Sequence, residues 1–363
     1  MRILLTHPTS WPAVRRGMER LFADLERYLR DEGHEVHTVT ARRSSGSRPV
    51  HGRLARRIPD PAVTYQLRVA LAIRRHRPDI VHGLHYLDGA GHRLAGRAGE
   101  VAPLVLHIPG IPSAAALAWR PYHGTIFRAS SRRATAVIAM SRAAQSALAR
   151  DFGRRAVVVP NGVFTSEMAA LACRVERSER PTVLFPGDAT DSRKRVHLLA
   201  DALALLRESF PGLRMLVAWP IDENTRLTLQ ARSGVPVEVR DVPEPAMMAA
   251  LYAEAWVTCL PSVDEAFGLV LVESLACGTP AVGARHGGVP EVLGEPAWLA
   301  EPDDARDLAR TLERALADSS TPQSPTHCRE LAAPFDWSAV GPRLVTLYEE
   351  VLESRPRLAW ARS

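Results

Sequence analysis

The sequence predicts an α/β protein built from two doubly wound, Rossmann-like domains in tandem, each a parallel sheet with helices on both faces. Three observations carry this prediction. Short apolar runs of strand length alternate with stretches of helical periodicity. Most of these runs end in a polar or small residue, as strands do where their carboxyl ends meet a ligand. The alternation also halts in an Ala/Arg/Glu-rich connection, residues 167–181, and starts afresh at Thr182. A chain of 363 residues, 46% hydrophobic and 24% charged, is long enough to bury two cores.

Ile3 to Thr6 reads as the first strand, and Met18, Leu21, Phe22, Leu25, Tyr28 and Leu29 recur at helical spacing until Gly33 stops the helix. Val36 to Thr40 alternates as a second strand. Further strands are expected at Ile80–His82, Leu104–His107, Ala136–Ser141 and Val157–Asn161. In the second domain the strands are Thr182–Phe185, Leu213–Trp219, Val237–Val239, Ala255–Leu260, Ala281–Gly283 and Ala297–Leu299, with a helix over Arg195–Leu206. A last helix, about Ser338–Leu352, follows Pro334 and is expected to return to the first domain. The division expected is therefore 1–172 and 173–336, with 337–363 packing back on the first domain and a cleft between the carboxyl ends of the two sheets.

Several classes are excluded early. No apolar run approaches the roughly 20 residues that span a bilayer, and Met1–Thr6 is too short for a secretory h-region, so a cytoplasmic first strand is expected. Cys173, Cys259, Cys277 and Cys328 lie far apart without a C-x-x-C pair, which suggests neither a metal site nor a disulfide framework. There is no G-x-G-x-x-G at a strand-to-helix turn, no Walker loop and no G-x-S-x-G. Of 46 basic residues 45 are Arg, a bias that fits a GC-rich genome and singles out Lys194, the one lysine. Residues 1–170 carry a net +14 and the remainder −8. A surface of that sign points to an anionic partner for the first half, an anionic membrane or an acidic acceptor; the rival reading is a soluble natural-product acceptor, with the Arg excess a matter of genomic bias and solubility. Nucleic acid is disfavoured, because the aromatics Trp11, Phe22 and Tyr28 do not interleave with Arg in a stacking pattern.

The informative stretch is Pro261 to Pro280, PSVDEAFGLVLVESLACGTP, a strand-end loop feeding an apolar helix. Glu265 stands just before that helix and Glu273 in its middle. Backbone amides of Phe267, Gly268 and Leu269 would open the helix and suit a phosphate or sugar oxygen. A helix-entry Glu is favoured by the dipole without any ligand. Glu273, however, sits among Val270, Leu271, Val272, Leu275 and Ala276, and a buried carboxylate needs partners. A glycosidase pair is disfavoured, since eight residues of helix separate the two by roughly 12 Å, beyond the about 5 to 9.5 Å that hydrolysis uses. His107 closes its strand before Ile108-Pro109-Gly110, with His82 and His85 as weaker candidates nearby.

The frame P-S-x-x-E-x-F-G-x-x-x-x-E-S-L-A-C-G-T-P, with seven residues between Glu265 and Glu273, resembles the E-x7-E signature of glycosyltransferase family 4. Arg16-Gly17-Met18-Glu19-Arg20, Gly33-His34-Glu35-Val36, Pro78-Asp79-Ile80-Val81-His82, Ile138-Ala139-Met140-Ser141, Pro160-Asn161-Gly162-Val163 and Gly287-Gly288-Val289-Pro290-Glu291-Val292 are similar to that family's recurring segments, in the same order. The resemblance implies the GT-B fold. It further implies that Glu265 binds donor-sugar hydroxyls, Glu273 the ribose, and the amides of Phe267–Leu269 the phosphate and sugar. His107 matches the family's His near the reacting sugar. Gly17 would allow close approach to the donor phosphate, and Arg16, His82 and His85 are assigned to the acceptor side. Lys194 matches the family's phosphate-binding Lys, but Asp188 stands where its Arg is expected, so Arg193 or Arg195 would supply that charge.

The activity expected is retaining transfer of a hexose from a UDP- or GDP-linked donor to an acceptor hydroxyl, with no metal and no cofactor. Two rivals share some of these features. One is a sugar phosphorylase or nucleotide-sugar epimerase on the same fold; the other is a non-catalytic nucleotide-sugar or nucleic-acid binding protein.

Overall fold

The computed structural model describes residues 1–9, 17–41, 61–97, 99–118, 122–242, 244–294 and 296–354. These residues form two compact units, Met1–Val159 with the chain from Gly341 onward, and Pro160–Val340.

The first unit holds strands β1 (Arg2–Thr6), β2 (Glu35–Val39), β3 (Ile80–Gly83), β4 (Leu104–Ile108), β5 (Ala136–Ala139) and β6 (Val157–Val158). Their order in the sheet is β2-β1-β3-β4-β5-β6, all parallel. Central strands β3 and β4 are buried at every residue, which is why they read as continuous apolar runs rather than alternating ones. One face is covered by helix Pro61–His76 through Tyr65, Val69, Ala70 and Ile73. Helix Arg142–Phe152 begins at Ser141, whose Oγ accepts from Ala144 N, and stops at Gly153 in the left-handed region.

The second unit repeats the design with β7 (Thr182–Phe185), β8 (Arg214–Val217), β9 (Val237–Val239), β10 (Val257–Leu260), β11 (Ala281–Ala284) and β12 (Leu299–Ala300). The order is β12-β11-β10-β7-β8-β9, again parallel, so the loops leaving β7, β10 and β11 emerge side by side at one edge. At the opposite, entry end Arg214 is held by Glu238, Glu254, Ser178 and Thr182.

The structure places the division at Val159/Pro160, earlier than the expected 172/173. Residues 160–172 belong to the second unit because they are fastened there. Gly162 lies so close to the Trp337 indole that a Cβ would clash with it, and Thr165 donates through N and Oγ1 to Asp336 Oδ2. Helix Thr165–Ala172 falls across the start of what reads as a connection, and its Met168 carbonyl accepts from the Cys277 thiol. The last helix spans Trp337–Glu353; its first four residues stay with the second unit and the rest join the first.

Candidate active site

The donor-side cluster is assembled from three neighbouring strand ends of the second unit. After β7 the chain makes two local turns. Asp188 Oδ1 accepts from Thr190 N and Oγ1, and Asp191 caps the short 3-10 turn Ser192–Lys194 by accepting from Arg193 N. Helix Val196–Leu206 then starts from Arg195, whose φ of 51° places a non-glycine residue in the left-handed region. Such strain persists only where surroundings enforce it. Here Arg195 forms an ion pair with Asp303, itself at φ 62° in the loop after β12.

The loop after β10 carries Glu265 and is tied on both sides. Val263 N donates to the Arg193 carbonyl, Asp264 N donates to His286 Nδ1, and Gly288 N donates to the Glu265 carbonyl. Asp264 again has a positive φ, 53°. The loop ends at Gly268, φ 94°, which caps helix Leu269–Ala276. An added Cβ at Gly268 would come within 3.1 Å of Leu271 Cδ1 and lie near the Glu265 side chain, so the helix start and Glu265 are neighbours. Phe267 is buried edge-on against Phe335, 5.4 Å between ring centres.

Within this frame the sequence-derived residues meet. Lys194 Nζ donates to Glu265 Oε2 at 2.5 Å, both side chains about four-fifths buried. Glu273 is 8% exposed within its helix, and Tyr252 Oη donates to its Oε2 at 2.9 Å. Part of the partnership that a buried carboxylate needs therefore comes from helix Pro245–Glu254, and Tyr252 is a residue that sequence reasoning missed. Arg193 is held by Asp191 at 2.6 Å and is half exposed. Both arginines considered as substitutes at the Asp188 position thus have carboxylate partners.

The first unit contributes its own strand-end cluster. His107 lies on β4, buried, and neither ring nitrogen has a hydrogen-bond partner among the described residues. Burial pushes its pKa down to about 4, so it is neutral near pH 7. Its ring stacks on His82 of β3, 5.7 Å between centres and 14° between planes. His82 is fully buried, its pKa well below the ordinary value through burial and then the charge of His107, and its Nδ1 lies 2.5 Å from Tyr348 Oη. His85 is pushed to about 3 by burial, with His7 and His123 adding to the shift. His7, at the end of β1, bonds the Thr9 carbonyl and sits edge-on to His85. Gly17 opens helix Gly17–Asp31 on the surface, and Arg16 lies outside the described residues. His82 and His107 thus stack on each other, while His85 lies against His7 and Tyr86. Among the described residues no group of three or more His, Cys, Asp or Glu is placed to hold a metal ion.

Comparison with known proteins fits this arrangement. Residues 15–167 match the family described as Glycosyltransferase Family 4, and residues 180–318 match Glycosyl transferases group 1. The MMP alpha-(1->4)-mannosyltransferase of Mycolicibacterium hassiacum is 30% identical over 324 residues, 81% of this chain and 76% of the relative. The phosphatidyl-myo-inositol mannosyltransferase of Mycolicibacterium smegmatis is 28% identical over 380 residues, 97% and 94% of the two chains. Among solved structures, sucrose-phosphate synthase from Thermosynechococcus elongatus superposes with a TM-score of 0.79 at 21% identity, covering 98% of this chain and all of that one. Anabaena HepE in complex with UDP-glucose does so at 0.69 and 20%, covering 96% of this chain and all of HepE.

Two parallel six-stranded sheets, each with a cluster at its strand ends, and these similarities define a glycosyltransferase of GT-B fold. The chain belongs to glycosyltransferase family 4. The phosphorylase, epimerase and non-catalytic readings are not favoured.

Proposed function

We propose that the chain is a retaining hexosyltransferase that takes its sugar from a nucleoside diphosphate donor and passes it to an acceptor hydroxyl without a metal ion. The observation that carries this reading is the Lys194–Glu265 pair beside the Gly268 helix start, with Glu273 buried further along the same helix. A cation, an open helix end and two carboxylates, one on the loop before that helix and one within it, suit, in turn, a diphosphate, its bridging oxygens, and the hydroxyls of sugar and ribose. The bond from anomeric carbon to diphosphate oxygen breaks, and Lys194 and the Gly268–Leu269 amides take up the charge developing on the leaving group. The acceptor oxygen bonds to the same face of the carbon, and its proton passes to a phosphate oxygen of the leaving diphosphate. Glu265 orients the sugar, Glu273 the ribose, and neutral His107 hydrogen-bonds the reacting sugar.

Support for a nucleotide-sugar donor comes from the HepE complex, and support for mannose as the sugar from the two mannosyltransferase relatives. The test is turnover of UDP-, GDP-, ADP- and dTDP-hexoses with hydroxyl acceptors. Nucleoside diphosphate should be released together with a product of unchanged anomeric configuration, read by NMR coupling.

An anionic lipid surface is the partner we assign to the first unit. On helix Pro61–His76, Leu67 and Leu71 are exposed, 50% and 66%, and Arg68, Arg74 and Arg75 share that outer stripe. The helix contains no acidic residue. Apolar side chains flanked by arginines are what a helix presents to the headgroup region. The similarity to a phosphatidyl-myo-inositol mannosyltransferase supports the same assignment. Among the described residues no helix is long and apolar enough to cross a membrane. The clusters Arg42-Arg43 and Arg53-Arg56-Arg57 lie outside the described residues.

A further inference from the structure

Four ring nitrogens belong to the stacked pair His82 and His107, and three of them, His82 Nε2 and both of His107, have no hydrogen-bond partner among the described residues although the rings are buried. The fourth, His82 Nδ1, is held at 2.5 Å by Tyr348 Oη, from a residue 266 positions away. Buried polar nitrogens left open in this way cost stability unless a ligand or water meets them.

The helix that brings Tyr348 is placed with care. Gly341 lies against the Tyr28 ring so closely that a Cβ there would clash with it, which seats this segment on helix Gly17–Asp31. Tyr348 is fully buried and its phenol keeps its proton, since burial raises its pKa well above the ordinary value. His82 is neutral for the matching reason. Two neutral groups at this distance share one proton donor. If His82 Nδ1–H were the donor, the buried Tyr348 hydroxyl would be left without an acceptor, because His82 Nδ1 is its only hydrogen-bond partner among the described residues. With the phenol as donor, the ring proton of His82 sits on Nε2, the nitrogen left open for a ligand.

We propose that Tyr348 is a positioning residue for sugar transfer: by donating to His82 Nδ1 it locks that ring as the Nε2–H tautomer and sets beside His107 a donor for a substrate hydroxyl. The inference rests on the reading that His107 meets the reacting sugar. It adds to that reading a residue of the last helix that touches no substrate.

The test is Tyr348→Phe, which keeps the ring and removes the hydroxyl, read in two independent ways. Histidine-ring 15N spectra should show His82 in a single Nε2–H form in the parent and a mixture in the variant. Steady-state kinetics should show kcat lowered about tenfold, with the KM for donor unchanged within about twofold. His82→Gln, which retains an N–H donor at the end of the side chain, should keep more activity than His82→Leu and should be insensitive to the further Tyr348→Phe change. An unchanged His82 tautomer, or an altered tautomer with parental kcat, would overturn the inference. His107→Ala separates the two claims. If it too retains full kcat, the reading of His107 fails; if it alone loses activity, that reading stands and only the role of Tyr348 fails.

Discussion

Lys194 and Glu265, 71 residues apart, form a largely buried ion pair at 2.5 Å where the loops after β7 and β10 meet. The pairing has a consequence for binding. In the structure each group satisfies the other, so a diphosphate that draws Lys194 away leaves Glu265 in need of hydroxyl donors. A nucleotide carrying a sugar supplies both at once, whereas a free diphosphate supplies only the anion. On the reading proposed above, Lys194 and Glu265 stand in for the two halves of the donor.

The two glutamates should separate on substitution. Glu273→Gln is expected to weaken free nucleoside diphosphate about tenfold or more, because a buried charged acceptor becomes a neutral amide facing the same donors. Tyr252→Phe should give a smaller loss of the same kind, since it removes the hydroxyl bonded to Glu273 Oε2. Glu265→Gln should spare the free diphosphate and lower kcat/KM for the sugar-bearing donor. Calorimetric titration of both ligands checks the pattern, and equal losses for free diphosphate in both glutamate variants would show the roles to be misassigned.

Chelation tests where the leaving charge goes. With Lys194 and backbone amides in that role, turnover should persist in excess EDTA at a rate within about twofold of the untreated enzyme. Activity abolished by EDTA and restored by a divalent ion would count against this account.

Acid should destabilise the first unit. Burial holds His107 at about 4, His85 at about 3 and His82 well below its ordinary value, so below about pH 6.5 the unfolded chain takes up protons that the folded chain refuses. Stability from these groups is complete above pH 6.5 and is lost as pH falls towards the folded values, at about 1.4 kcal/mol per unit for each. Asp88 opposes them. Burial raises its carboxyl to about 7 against the hydrogen bonds from Tyr65 and the His85 amide, so the folded chain gains that proton first as pH falls. Three histidines outweigh one aspartate, and the thermal midpoint should drop between pH 7 and pH 5. His107→Gln should flatten the slope, and a midpoint that holds steady or rises over that range would refute the argument.

Vesicles test the outer stripe of helix Pro61–His76. Co-sedimentation with liposomes containing anionic lipid is expected at low salt, with most of it lost at about 0.5 M salt, where the Debye length shrinks to a few ångströms. Leu67→Ser with Leu71→Ser should weaken binding at both salts, since it removes apolar insertion and leaves charge unchanged. Absence of binding at low salt would restrict the acceptors to soluble ones.

Much of this architecture is legible in one sequence because parallel strands buried on both faces leave plain apolar runs, as in Ile80–His82 and Thr182–Phe185. Helix Leu269–Ala276 announces itself by the contrast between Glu273 and its neighbours. What escapes is long-range. Nothing near Glu273 names Tyr252, and nothing near His82 names Tyr348, because strand order and the return of the last helix create those contacts. Thr165–Ala172 is missed as a helix because its small and polar residues carry little periodic contrast in a stretch that reads as a connection. The positive φ at Asp264 and Arg195 is also invisible, since neither residue type announces a left-handed conformation as glycine does.

Binding of nucleoside diphosphates to the parent and to Lys194→Ala tests the central claim most directly. One of UDP, GDP, ADP or dTDP, at about 100 times its dissociation constant, should stabilise the parent by about 2.7 kcal/mol. The alanine variant should fold normally, since Lys194 lies at a loop and not in either core, yet bind that diphosphate at least about tenfold more weakly. Equal affinity in parent and variant, or no stabilisation by any of the four, would contradict a diphosphate site at Lys194.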